Sequence, residues 1–219
     1  MVSKRTSRNT LVIALLLFSV IAASSLAAVR SEVFSHQSQL LGAEKEFYVF
    51  YPRAYDENKS YPVLYLLHGA GGNYRNWAQA TRLATYLENY DMFVVLPDGD
   101  EYGWYVDSPL IGESKYESYL PKELVPYIDE HLPTIPDKTG RAICGLSMGG
   151  HGAITLAVKY PKVFGSASSL SGIMDLTRHP NSWELPQKLG PLTDAEEIWK
   201  ENSAMGLAKM RKIRRSTPF

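Results

Sequence analysis

The sequence predicts one α/β domain, a mostly parallel sheet with helices on both faces. Three observations carry this. Two continuous apolar runs, Pro62 to Leu67 (Pro-Val-Leu-Tyr-Leu-Leu) and Met92 to Leu96, have the character of strands buried on both faces. Strand-type and helix-type segments alternate, which implies right-handed crossovers between parallel strands. Glycine-containing turns close the strand ends at His68 to Asn73, Pro97 to Gly99 and Gly145 to Gly150. No internal repeat and no low-complexity linker divides the chain.

The elements follow in order. Glu46 to Tyr51 is aromatic-rich and reads as a strand stopped by Pro52. Asp56 to Ser60 is a polar turn before the Pro62 to Leu67 strand. Asn76 to Tyr90 has helical spacing, with Trp77, Leu83, Tyr86 and Leu87 inward. After the Met92 to Leu96 strand a polar and aromatic loop runs to about Gly112. Tyr119 to His131 predicts a helix with Pro121 near its start, where proline is tolerated. Arg141 to Leu146 is a short strand, Met148 to Lys159 a helix, and Phe164 to Leu170 a further strand. Asp194 to Lys212 predicts a charged helix broken and recapped at Asn202-Ser203.

Composition bounds the function. The 219 residues are 45% apolar and 21% charged, ordinary for a globular chain and unlike disordered or fibrous ones. Lys+Arg and Asp+Glu both total 23, so no basic excess points to nucleic acid. The single Cys144 excludes an internal disulfide framework and a cysteine-based zinc cluster. It reads as packed core. Residues 1 to 27 read as a secretory signal peptide, leaving 28 to 219 as the domain. Lys4, Arg5 and Arg8 precede an apolar run from Leu11 to Ala23, and Ser25-Leu26-Ala27 offers small residues for cleavage. That run is too short for a comfortable membrane span, so no stable membrane anchor is expected. Removing Lys4, Arg5 and Arg8 from 23 basic residues leaves 20 against 23 acidic, a formal charge of −3. The expected location is secreted or periplasmic, and a lone thiol suits an oxidising compartment.

Gly145-Leu146-Ser147-Met148-Gly149 carries the chemistry. A serine on a sharp strand-to-helix turn needs strained backbone angles, and side chains two residues to either side would clash. Glycines at both places fit that turn, and the helix behind aims its dipole at the site. Ser147 is therefore the expected nucleophile. His68-Gly69-Ala70-Gly71-Gly72 lies at the carboxyl end of a buried strand, where open parallel sheets bind ligands. Its backbone N–H groups suit a developing oxyanion, with the N–H of Met148 as the other donor. A phosphate loop fits poorly, because no Lys-Ser/Thr ending follows.

Leu67-His68-Gly69-Ala70-Gly71-Gly72-Asn73, Trp77, Pro97-Asp98-Gly99 and Gly145 to Gly150 together resemble the esterase family of α/β-hydrolases. That family includes S-formylglutathione hydrolases, feruloyl esterases and mycolyltransferases. The resemblance spans roughly residues 40 to 210. It implies an α/β-hydrolase sheet, Ser147 as nucleophile, oxyanion donors at Ala70 and Met148, and substrate contacts from the loop bearing Trp104, Tyr105, Asp107 and Ser108. No cofactor and no metal is implied. The implied partner is a small-molecule or glycan-linked ester, with no nucleic acid.

The chain departs from the family pattern after Ser147. The expected order is Ser, acid, His, with the acid after a further strand and the His in a late Gly-His turn. No such strand or turn is legible, so the sequence predicts an α/β-hydrolase sheet lacking its C-terminal strands, with the Phe164 to Leu170 strand as an exposed edge. The triad acid and base are unassigned, with Asp175 and His179 as weak candidates. His151 lies four residues into the elbow helix, and His68 is expected to shape the oxyanion loop. His36 and His131 read as surface residues. The basic residues from Lys209 to Arg215 read as a solvated tail. The leading expectation is a serine esterase working through an acyl-enzyme. Open alternatives are an acyltransferase of the same fold and a truncated, non-catalytic remnant.

Overall fold

The computed structural model describes residues 29–216. The expected signal peptide, residues 1–27, lies outside them, and no described helix is long and apolar enough to cross a membrane. Six strands form one sheet: β1 (Ser31–Ser38), β2 (Ala43–Phe50), β3 (Val63–Leu67), β4 (Phe93–Pro97), β5 (Arg141–Leu146) and β6 (Ser166–Leu170). Their spatial order is β1-β2-β4-β3-β5-β6. β1 and β2 pair antiparallel, as do β2 and β4, while β4, β3, β5 and β6 run parallel.

Alternation along the central strands sorts the two faces. Val63, Tyr65 and Leu67 of β3 enter one core with Phe93, Val95 and Ile143. Leu66 enters the other, with Phe50, Val94 and Leu96. The second core is covered by two short helices, α1 (Asn76–Ala80) and α2 (Leu83–Leu87), through Trp77, Leu83 and Leu87. The first is covered by α3 (Tyr116–Tyr119), a π-helical turn (Leu120–Leu124), α4 (Val125–His131) and α5 (Met148–Lys159). Beyond β6, α6 (Leu185–Leu189), α7 (Leu192–Glu201) and α8 (Ala204–Ser216) continue that layer, with Leu185, Leu189 and Trp199 buried in the same core.

Four differences from the sequence reading have local causes. β1 is an added edge strand whose polar alternation (Ser-Glu-Val-Phe-Ser-His-Gln-Ser) leaves no apolar run to notice. The helix expected over Asn76 to Tyr90 is two helices. Thr81 is extended, and its hydroxyl donates to the Trp77 carbonyl while accepting from the Leu83 N–H. The helix expected from Tyr119 starts at Tyr116 and widens into the π turn at Pro121, whose nitrogen donates no hydrogen bond. His36, expected at the surface, is half-buried between the rings of Tyr119 and Tyr127, with Nε2 3.1 Å from the Tyr119 hydroxyl. The expected break at Asn202-Ser203 does separate α7 from α8.

β6 fits its expected place. Among the described residues it pairs only with β5, and Ser166, Ala167, Ser168 and Leu170 are exposed.

Candidate active site

Ser147 stands between the end of β5 and the start of α5 with φ 54° and ψ −114°. A non-glycine residue there costs about 1–3 kcal/mol, which the surroundings must offset. They do so by contact. The Ser147 N–H donates to the Leu170 carbonyl at 2.8 Å, tying the turn to the end of β6. A Cβ at Gly145 would lie 2.4 Å from the Gly149 carbonyl, and one at Gly149 would lie 2.6 Å from the carbonyl oxygens of Leu67 and His68. Both glycines are therefore required for α5 to start so close to β3. Met148, Gly149 and Gly150 are buried, and Ser147 stays partly open.

The loop after β3 approaches the serine directly, since a Cβ at Gly69 would sit 3.6 Å from that of Ser147. The Gly71 N–H donates to the Glu101 carbonyl at 2.8 Å and the Gly72 N–H to the Gly69 carbonyl at 3.2 Å. Among the described residues, no hydrogen bond takes the N–H of Ala70 or that of Met148. These are the two donors the sequence reading named.

A pocket of about 210 Å³ opens beside this loop. It is lined by His68 to Gly72, Asn76, Trp77, Ala80, Thr81 and Leu146. The sequence reading missed α1 as a wall of the site. The available signal was Trp77, an aromatic residue shortly after the glycine loop. Its indole N–H donates to the Leu67 carbonyl at 3.0 Å, which fixes the ring at the end of β3. A larger hollow, about 600 Å³, lies at the opposite ends of the strands, near Val63, Arg141 and Ser166, away from Ser147.

The loop after β4 is tightly packed behind the site. Trp104 and Tyr105 both hold positive φ, at 55°, and are about 1% exposed. The Trp104 N–H points at the Met148 sulfur at 3.3 Å, and its indole N–H donates to the Trp183 carbonyl. The Tyr105 ring is enclosed between Gly99 and Gly152, where an added Cβ would come within 2.4 and 2.6 Å of it. Both carboxylate oxygens of Asp107 accept from Ser118, one from its N–H and one from its hydroxyl. The Ser108 hydroxyl donates to the Lys188 carbonyl. In this conformation these residues brace the site from behind, and none of them lines the pocket.

All five histidines of the chain are described, and none hydrogen-bonds Ser147. His68 is buried with both ring nitrogens engaged. His151 is fully buried, and its Nε2–H donates to the Asn202 carbonyl at 2.6 Å. Burial pushes the His151 pKa down to about 4. His131 is exposed on α4, stacked on Tyr127. His179 packs beside Trp183, with ring centroids 5.1 Å apart. Asp175 caps the short turn Leu176–Arg178 by accepting from the N–H and hydroxyl of Thr177, which hold its carboxyl below the usual value. No hydrogen bond joins Asp175 to His179.

The family model described as "Putative esterase" matches residues 38–216. The chain belongs to the esterase family of α/β-hydrolases. An esterase of Mycobacterium tuberculosis is 35% identical over 154 residues, which are 66% of this chain and 33% of that protein. The chain thus spans about a third of that relative's length. An S-formylglutathione hydrolase of Paracoccus denitrificans is 28% identical over 193 residues, 78% of this chain and 67% of that protein. Among solved structures, an S-formylglutathione hydrolase from Agrobacterium tumefaciens superposes with a TM-score of 0.70 at 29% identity. It covers 84% of this chain, and the match covers 72% of that one. A ferulic acid esterase gives 0.69 at 28% identity, covering 82% and 71%. The relatives named here are an esterase, two S-formylglutathione hydrolases and a ferulic acid esterase.

Proposed function

We propose that this chain is a serine esterase of carboxylic esters acting through an acyl-enzyme on Ser147. The observation that carries the reading is the pairing of a serine held at φ 54° with two unengaged backbone donors, Ala70 and Met148. Ser147 Oγ bonds to the ester carbonyl carbon while the C=O electron pair moves to oxygen, where the two N–H groups receive it. Collapse re-forms the carbonyl and expels the alcohol, which takes a proton. Water then releases the acid from the serine. The pocket beside the loop lies below the common range for ligand pockets, about 300–1,000 Å³, which supports a short acyl or alcohol group on that side. A small-molecule or glycan-linked ester meets this description. Export directed by residues 1–27 places the enzyme in the periplasm or outside the cell.

A serine hydroxyl is a weak nucleophile without a positioned base. With no histidine bonded to Ser147, its proton passes to water, and turnover by this chain alone is residual. A serine triad without one member keeps about 10³–10⁴-fold acceleration over water from its oxyanion hole and binding. The test is hydrolysis of short-chain activated esters with Ser147→Ala as control. A residual rate removed by that change is expected, and a rate indifferent to it contradicts the proposal. N-terminal sequencing of the exported product checks the second part, with Ala28 expected as its first residue and an intact Met1 in the cytoplasm as the contrary result.

A further inference from the structure

The oxyanion loop is held by a partly buried chain of groups crossing three neighbouring strands. It starts at Lys45 on β2, whose Nζ lies 2.5 Å from Asp98 Oδ2. Asp98 follows β4 directly, and its Oδ1 accepts from the Asp100 N–H at 3.3 Å. The next residue, Gly99, donates its N–H to His68 Nε2 at 2.9 Å. A backbone N–H can only donate, so Nε2 carries no proton and the ring is the neutral tautomer with hydrogen on Nδ1. Nδ1 lies 2.9 Å from the Gly69 carbonyl oxygen, to which it donates.

The last bond matters most. The Gly69 carbonyl and the Ala70 N–H belong to one trans peptide unit and point in opposite directions. Holding that carbonyl toward the His68 ring, with the Gly72 N–H as a second donor, turns the Ala70 N–H the other way. Resting on the esterase reading, we infer that His68, Asp98 and Lys45 form a positioning relay that aims the Ala70 N–H at the oxyanion. His68 is thus a positioning residue and not the base.

The charges agree with the tautomer. Asp98 Oδ1 lies 3.7 Å from His68 Nε2, and an unpaired carboxylate there would draw a proton onto that nitrogen. The Gly99 bond would then be lost. Lys45 balances the carboxylate. Burial alone would raise the Asp98 carboxyl, and the Lys45 ammonium beside it lowers it. Burial would likewise lower the Lys45 ammonium, and Asp98 more than reverses that. Tyr105, whose hydroxyl lies 3.4 Å from the His68 carbonyl, closes the remaining side.

Two substitutions separate the two ends of the ring. Asparagine approximates the Nδ1 donor and glutamine the Nε2 acceptor. ¹⁵N NMR of the purified protein should show His68 protonated at Nδ1 at neutral pH. The Ala70 amide cross-peak should move in His68→Gln and stay close to wild type in His68→Asn. The rate of Ser147 phosphonylation should fall about tenfold or more in His68→Gln, and less in His68→Asn. Should His68→Gln fail to fold, Lys45→Met carries the test, with a smaller shift of the same peak. A ring protonated at Nε2, or an Ala70 peak unmoved by His68→Gln or by Lys45→Met in its turn, overturns the inference. If wild-type Ser147 takes no phosphonate, the esterase reading falls, while the Ala70 peak still decides the relay.

Discussion

The loops after β3 and β4 and the segment after β6 both lie at the carboxyl end of the sheet, yet they are built differently. The first pair is cross-linked: His68 bonds Gly99 and Gly69, Gly71 bonds Glu101, and Trp77 bonds the end of β3. After β6, Asp175 and Arg178 engage their own turn, and the strand beside them has one open edge among the described residues. Under the proposed reading, the nucleophile and its oxyanion donors belong to the cross-linked region, and the weak candidates for acid and base belong to the other. The two regions depend on different strands, and the contacts that shape the elbow come mainly from β3 and α5, with one bond to β6.

This contrast can be broken or sharpened by mutation. The largest effect is expected at Gly145→Ala, whose methyl has only backbone to meet on α5. Stability should fall by more than about 3 kcal/mol, beyond the usual range for overpacking, as read by urea unfolding. Next comes Met148→Pro. Proline is tolerated at a first helical position, so α5 can start with it, and the change removes the donor together with the buried side chain at which the Trp104 N–H points. The loss of one oxyanion donor predicts a 10²–10³-fold fall, about 3–4 kcal/mol, in the rate of Ser147 phosphonylation, with unchanged circular dichroism.

A third prediction concerns pH. The pKa of His151 is lowered in the folded state to about 4, so between that value and its ordinary 6.5 the unfolded chain binds the extra proton. Stability therefore rises with pH across this window, by roughly 3 kcal/mol from this group, and acid removes it. His151→Leu should flatten the slope between pH 4 and 6.5 in denaturation series. The smallest effect is expected after β6. Asp175→Ala and His179→Ala should each change residual ester hydrolysis less than about twofold, because neither side chain bonds Ser147.

Much of the cross-linked region was legible in the sequence, because its residues are forced by contact. Gly145 and Gly149 are the only residue type that fits where they stand, and the apolar runs of β3 and β4 admit no other element. What was not legible depends on the folded surroundings. Trp104 and Tyr105 carry no local sign of their positive φ, which comes from packing against Met148, Gly99 and Gly152. Lys45 and Asp98 are ordinary surface types until the order β2-β4-β3 sets them side by side. β1 escaped notice because an edge strand with one wet face needs no apolar run.

Hydrolysis of an activated short-chain ester, run side by side on wild type, Ser147→Ala and His179→Ala, tests the central claim most directly. The claim is that this chain supplies a positioned serine and oxyanion hole with none of its histidines as base. It predicts a slow rate that Ser147→Ala removes and His179→Ala leaves unchanged. Rapid turnover abolished by His179→Ala would contradict it, by showing that the segment after β6 completes the site.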